Sequence, residues 1–211
     1  MSDLFETLQP RFEGLEPRES SDHPAVQCPV SLILPLVECL RDEFHYEILS
    51  DVTAIDWEER SPRFSVVYHF YSVQDCRYLR VVTDCPDDEN PAVPSIVALY
   101  PGANWHERET FDMFGIRFEG HPDLRRILMW DEYPYYPLRK EFPLAGIETD
   151  LPDAEIGEET RAKVLAAPMM GGPFVADTGS PMSKSEPRAK DQSWTEWKKK
   201  EALEDGGPEK D

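Results

Sequence analysis

The residues most capable of chemistry stand together at His106-Glu107-Arg108-Glu109, followed by Asp112 and, across a glycine, His121. A histidine beside a glutamate on a helix is the first half of the H-E-x-x-H zinc-hydrolase pattern, in which a second histidine one turn later completes the metal site. Here residue 110 is Thr, and His121 lies beyond Gly115 and Gly120, too far along for helical pairing. Glu107 and Glu109 would project about 200° apart on a helix, which prevents them from sharing a proton as a carboxylate dyad. The cysteines (Cys28, Cys39, Cys76 and Cys85) form no C-x-x-C pair and have no closely spaced histidine, so they read as reduced thiols rather than zinc or iron-sulfur ligands. No glycine-rich phosphate loop and no G-x-S-x-G elbow is present. The expectation is no catalytic, metal or cofactor-binding residue in this chain; a hydrolase using Glu and His remains a distant alternative. Such a specific segment without chemistry suits a surface that docks against something else.

A helix must position these residues. Asn104 and Glu107 have the spacing of a capping box, which predicts a helix start at Asn104. Arg108 and Asp112 stand four apart and can pair along the helix or reach a partner. Phe111 and Phe114 share a face, and Gly115 is suited to a left-handed stop. Beyond it, Gly120 and Pro122 fix a turn in which Asp123 can accept N–H groups. Arg125 and Arg126 either balance Asp123, Asp131 or Glu132, or present their forks to a partner's carboxylates. Trp130, Tyr133, Tyr135 and Tyr136, set among Pro134 and Pro137, read as contact surface or as an overlap onto the core.

Upstream, residues 2–9 predict a short helix with Leu4, Phe5 and Leu8 on one side, and residues 10–27 a linker. A helix over 32–42, capped by Ser31, would bury Leu32, Leu36, Val37 and Leu40; Pro35 is tolerable in its first turn. Strands are expected over 46–55, 63–73 and 78–83, the second carrying Phe64, Val66, Tyr68 and Phe70 in strict alternation. The loop 85–94 then ends the sheet, and Ser95 caps a short helix through Leu99. After Leu144 the chain holds Pro, Gly, Ser and charge, with short helices suggested over 158–167 and 193–203 and an apolar patch at Met169–Phe174.

Formal net charge is -20, and 13 basic residues face 27 acidic ones before Ala145, so acidity belongs to the body and not only to the tail. Phosphate backbones and anionic lipids would repel such a surface, which argues against nucleic acid. The longest apolar run, Leu32–Val37, falls far short of the roughly 20 residues a bilayer requires, and the N-terminus shows no export signal. Membrane contact is expected only through partners.

The run Glu107-Arg108-Glu109, Asp112-Met113-Phe114, His121, Arg125, Ile127-Leu128 resembles the signature of the 30 kDa, or C, subunit family of NADH:quinone oxidoreductase, respiratory complex I. Flanking segments 49–56 and 137–144 resemble the family at similar offsets, and the likeness covers about residues 28–144. The order of expected helices and strands reads as an α+β fold, a small mostly antiparallel sheet with helices packed on one face, followed by a long extended C-terminal arm. The implied layout is an N-terminal helix and linker over 1–27, the family domain over 28–120, a docking segment over 121–144 and an arm over 145–211 that wraps a partner. The implied role is a non-redox subunit of the peripheral arm, docked on the 49 kDa-type (D) subunit. FMN, iron-sulfur clusters and quinone would then reside in partner subunits, and the chain would sit at the cytoplasmic face of the inner (plasma) membrane, or the matrix side in mitochondria. An equivalent subunit of a membrane-bound hydrogenase or of a ferredoxin- or F420-linked dehydrogenase is the alternative. Candidate docking residues are Glu107, Arg108, Glu109, Asp112, Phe114, His121, Arg125, Arg126, Trp130, Tyr135, Arg139 and Phe174.

Overall fold

The computed structural model describes residues 2–143 and 146–164. The chain divides after Phe142 into two units. The first contains α1 (Ser2–Leu8), β1 (Glu16–Arg18), β2 (Ala25–Gln27), a 3-10 turn at Val30–Leu32, α2 (Ile33–Asp42), β3 (Ile48–Asp56), β4 (Phe64–Ser72), β5 (Arg77–Asp84), β6 (Ala92–Pro94), α3 (Ala103–Phe114) and β7 (Arg117–Glu119).

The main sheet has the order β1-β2-β5-β4-β3, antiparallel except where β2 runs parallel to β5. Alternation in β4 sends Phe64, Val66, Tyr68 and Phe70 to one side, where Val52 and Ala54 of β3 and Leu79 and Val81 of β5 join them. Leu8 of α1, Ile33, Leu36, Val37 and Leu40 of α2, and Ala103, Met113 and Phe114 of α3 all pack into that same core. The helices therefore lie on one face of a mostly antiparallel sheet, as the α+β expectation has it.

Several local expectations are corrected. Residues 10–27 supply two strands and the buried side chains of Phe12 and Leu15 rather than a linker. The alternation of β4 predicts one buried face and one open to water, yet Ser65 and Val67 on the opposite face are buried as well. Arg80 of β5, bonded to His69, holds Ser20 and Asp22 of the β1–β2 loop against that face. The segment after Cys85 does end the main sheet, but its last residues are strand β6, which forms a separate parallel pair with β7. Ser95 is followed by a turn, its Oγ accepting from the Val97 N–H at 3.3 Å. Helix α2 starts without a side-chain cap, the 3-10 turn carrying the chain into it.

In the second unit, β8 (Thr149–Asp150) pairs antiparallel with β9 (Lys163–Val164) around α4 (Ala154–Thr160). Asp153 caps α4 by accepting from the Ile156 N–H. This helix lies earlier than the expected one over 158–167. Phe174, the Met169–Phe174 patch and the expected helix over 193–203 lie outside the described residues.

Candidate docking site

Helix α3 ends as its sequence dictates: Gly115 takes φ +75° and returns its N–H to the Phe111 carbonyl. Its start does not. The capping residue is Gly102 and no side chain caps the helix. Glu107 faces the core with no exposed surface, accepting from Ser95 Oγ–H at 2.6 Å and the Ile96 N–H at 2.8 Å. Burial, only partly offset by these bonds, pushes its carboxyl up to about 7. Glu109, two positions on, is exposed, in keeping with the opposite projection of the two glutamates.

The expected Arg108–Asp112 pair is also absent, because both groups serve the segment that follows. Residues 121–129 run parallel to α3, stepping past every fourth helical residue. The His121 ring donates from Nε2 to the Asn104 carbonyl at 3.3 Å and accepts the Asp123 N–H on Nδ1 at 3.0 Å. Those two bonds define a neutral tautomer, and burial accordingly lowers the His121 pKa. One turn on, Arg108 donates Nε and Nη2 to the carbonyls of Arg125 and Arg126 at 3.1 and 3.2 Å. At Asp112 the grip is tightest. One carboxylate oxygen accepts the consecutive N–H groups of Ile127, Leu128 and Met129 at 2.9, 2.7 and 2.9 Å. The other takes Arg126 Nη1 at 2.5 Å. Burial raises the Asp112 pKa, but the three N–H groups and Arg126 outweigh it, and the net shift is downward. Three successive N–H groups around a carboxylate form an anion nest filled from within the chain.

Arg126 continues the assembly, its Nη2 donating to the carbonyls of Tyr133 and Tyr135 at 2.7 and 3.1 Å. Its guanidinium lies between the rings of Tyr133 and Tyr136, and Arg139 lies between Tyr136 and Phe64. Arg63 covers Phe64 in turn, so cations and rings alternate from Tyr133 to the sheet. Such contacts are worth about 0.5–2 kcal/mol each as they leave water. Arg139 also donates Nε to the Phe114 carbonyl at 2.6 Å, which places its fork against the Gly115 stop. Asp56 of β3 closes the far end, holding Arg63 through both oxygens, at 2.7 and 2.6 Å, and accepting the Lys140 N–H at 2.8 Å. Burial raises its pKa, but Arg63, the Lys140 N–H and the Glu58 N–H overcome this and hold it at about 2.

The twelve sequence-derived candidates therefore separate. Glu107, Arg108, Asp112 and Phe114 are buried, and Arg126 and Arg139 are tied inward. Glu109 is exposed, and Arg125 reaches solvent paired with Asp123 at 3.0 Å. Trp130 and Tyr135 are half-buried, flanking Tyr133 at ring distances of 4.6 and 5.7 Å. The aromatic stretch thus packs on its own rings and arginines while keeping part of its surface outward. Sequence reasoning missed Asp56, Ser95 and Tyr136 as organisers, and Trp105 and Leu128 as exposed apolar side chains. Only Trp105 left a signal, as a large apolar residue beside the charged run 106–109; Leu128 stands inside the apolar run Ile127–Trp130 and left none.

Among the described residues no cluster of three His, Cys, Asp or Glu side chains is suited to a metal ion, and no helix is long and apolar enough to cross a membrane. The family model described as the respiratory-chain NADH dehydrogenase 30 kDa subunit matches residues 26–148, the stretch that holds β2 through the clasped segment. The chain belongs to this family. It is 42% identical over 144 residues to the C subunit of the NADH-quinone oxidoreductase of Moorella thermoacetica, covering 68% of this chain and 96% of that one. The counterpart from Hyphomonas neptunium is 51% identical over 54% of this chain, a match that spans only 56% of that relative's length. A chain in the structure of an archaeal respiratory membrane complex, the membrane-bound sulfane sulfur reductase, shares the fold with a TM-score of 0.58 at 20% identity. That comparison covers 84% of this chain and 96% of the other.

Proposed function

We propose that this chain is a non-redox structural subunit of the peripheral arm of a proton-translocating NADH:quinone oxidoreductase. It docks on the 49 kDa-type subunit of the quinone-reducing module and supports electron transfer without carrying electrons. FMN, the iron-sulfur clusters and quinone are assigned to partner subunits, and the chain sits at the cytoplasmic face of the membrane through them. One observation carries this reading. Arg108, Asp112 and His121 of the signature, together with Arg126 and Asp56, are spent in fixing the shape of residues 121–142 on α3, which supports a preformed docking surface over a reaction centre. A preorganised surface binds without first losing conformational freedom, which is what a permanent interface between subunits requires.

The fold also occurs in a sulfane sulfur reductase complex, so fold alone does not select the electron donor. Tagged purification from gently solubilised membranes, with mass spectrometry of everything retained, tests the reading. Recovery of a 49 kDa-type subunit with flavin and iron-sulfur partners is expected. Hydrogenase-type partners would move the chain to a sister complex, and a chain recovered alone with hydrolytic activity would overturn the proposal.

A further inference from the structure

Two large apolar side chains at this site are more exposed than any other among the described residues. Trp105 on α3 is 62% exposed and Leu128 on the clasped segment is 60% exposed. Neither is loosely held. The Trp105 ring lies 5.4 Å from the Arg108 guanidinium, which bonds the backbone at 125 and 126. Leu128 hangs from a backbone N–H fixed in the Asp112 nest, while its neighbour Met129 packs against the core. Rigid, exposed, large apolar groups are what the centre of a stable interface is made of.

The surroundings specify charge. Glu109 lies one turn beyond Trp105 on the same helix and is exposed. Asp131 and Glu132 follow Leu128 closely and are exposed as well. Arg108 and Arg126 are drawn inward, and Arg125 is neutralised by Asp123. The exposed, unpaired charges that flank the two apolar residues along the chain are therefore acidic. They continue the imbalance that runs through the whole chain.

We infer that Trp105 and Leu128 are the apolar anchors of the docking surface, and that the partner offers an apolar socket edged by lysine or arginine. The inference rests on the subunit reading above and adds to it the anchoring residues and the partner's chemistry. Opposite charge at the rim steers and registers the contact, while the two anchors supply its strength.

The test uses the intact complex in membranes. Trp105→Ala with Leu128→Ala is compared with Ile48→Ala, an apolar side chain 42% exposed on edge strand β3. The double variant is expected to lower the amount of chain retained in the complex on native gels at least tenfold. Ile48→Ala should leave it unchanged, and the melting temperature of the purified full-length chain should hold within a few degrees for both. Retention of the double variant at the native level overturns the anchor assignment while complex membership stands. Native chain found outside any complex overturns the subunit reading itself. A photo-cross-linker at position 128 separately tests the charge: capture of a partner peptide bearing Lys or Arg supports the basic edge, and capture of an acidic or uncharged peptide overturns it.

Discussion

Replacing Glu107 by Gln should stabilise the chain, increasingly so as pH rises. The carboxyl is fully buried, no basic side chain among the described residues pairs with it, and burial pushes its pKa up to about 7 against an unfolded value near 4.3. Below the unfolded value the group is neutral in both states and has no pH-dependent effect. Between the two values the folded state keeps a proton that the unfolded state has released, so stability falls as pH rises. Above about 7 the loss is complete, at roughly 1.4 kcal/mol per pKa unit, or on the order of 3 kcal/mol. Gln keeps an acceptor for the Ile96 N–H and offers an amide to Ser95, without the ionisable proton. Thermal unfolding of the purified full-length chain at pH 5 and pH 8.5 reads the difference. The Gln variant should melt close to the native chain at pH 5 and about 6–12 °C above it at pH 8.5, at roughly 2–4 °C per kcal/mol. Two melting curves that stay parallel across this range would show that Glu107 does not carry a raised pKa.

Asp112→Ala should cost about 3–5 kcal/mol, because it strands the buried Arg126 and three backbone N–H groups at once; denaturant titration of the full chain measures it, and a loss under 1 kcal/mol would refute the nest. Asp112 and Asp56 both have lowered pKa values, so their contributions are present above the unfolded value near 3.9 and are lost as pH falls through the folded ones. Acid unfolding followed by circular dichroism should therefore begin at higher pH in Asp56→Asn than in the native chain. Gly115→Val should destabilise far more than Thr110→Ala. Its Cβ would stand 2.7 Å from Arg139 Nη2 and the Tyr136 ring at φ +75°, whereas Thr110 loses one 3.2 Å bond to the Val52 carbonyl, worth about 1 kcal/mol. Equal melting temperatures for the two variants would refute the helix-stop argument.

Legibility followed distance along the chain. The alternation of Phe64, Val66, Tyr68 and Phe70 and the stop at Gly115 depend on near neighbours only, and both stand in the structure. Strands β1 and β2 are three residues each, too short for any period to show, and they exist because β5 offers them an edge. The capping box at Asn104 and the Arg108–Asp112 pair were local rules applied to a helix treated as exposed. A solvated pair of that kind is worth about 0.2–0.5 kcal/mol, so α3 readily gives it up for bonds made out of water.

Composition and motif by themselves determined the α+β class, the family resemblance and the acidic character of the chain. The tertiary structure alone decided what each charged residue of the motif does. Glu107 answers residues 95 and 96 across the core, Asp112 reaches 126–129, and Asp56 meets Lys140 84 positions away. A carboxylate in water is satisfied anywhere, but a buried one must be given its donors, and those donors are fixed only when the chain closes on itself.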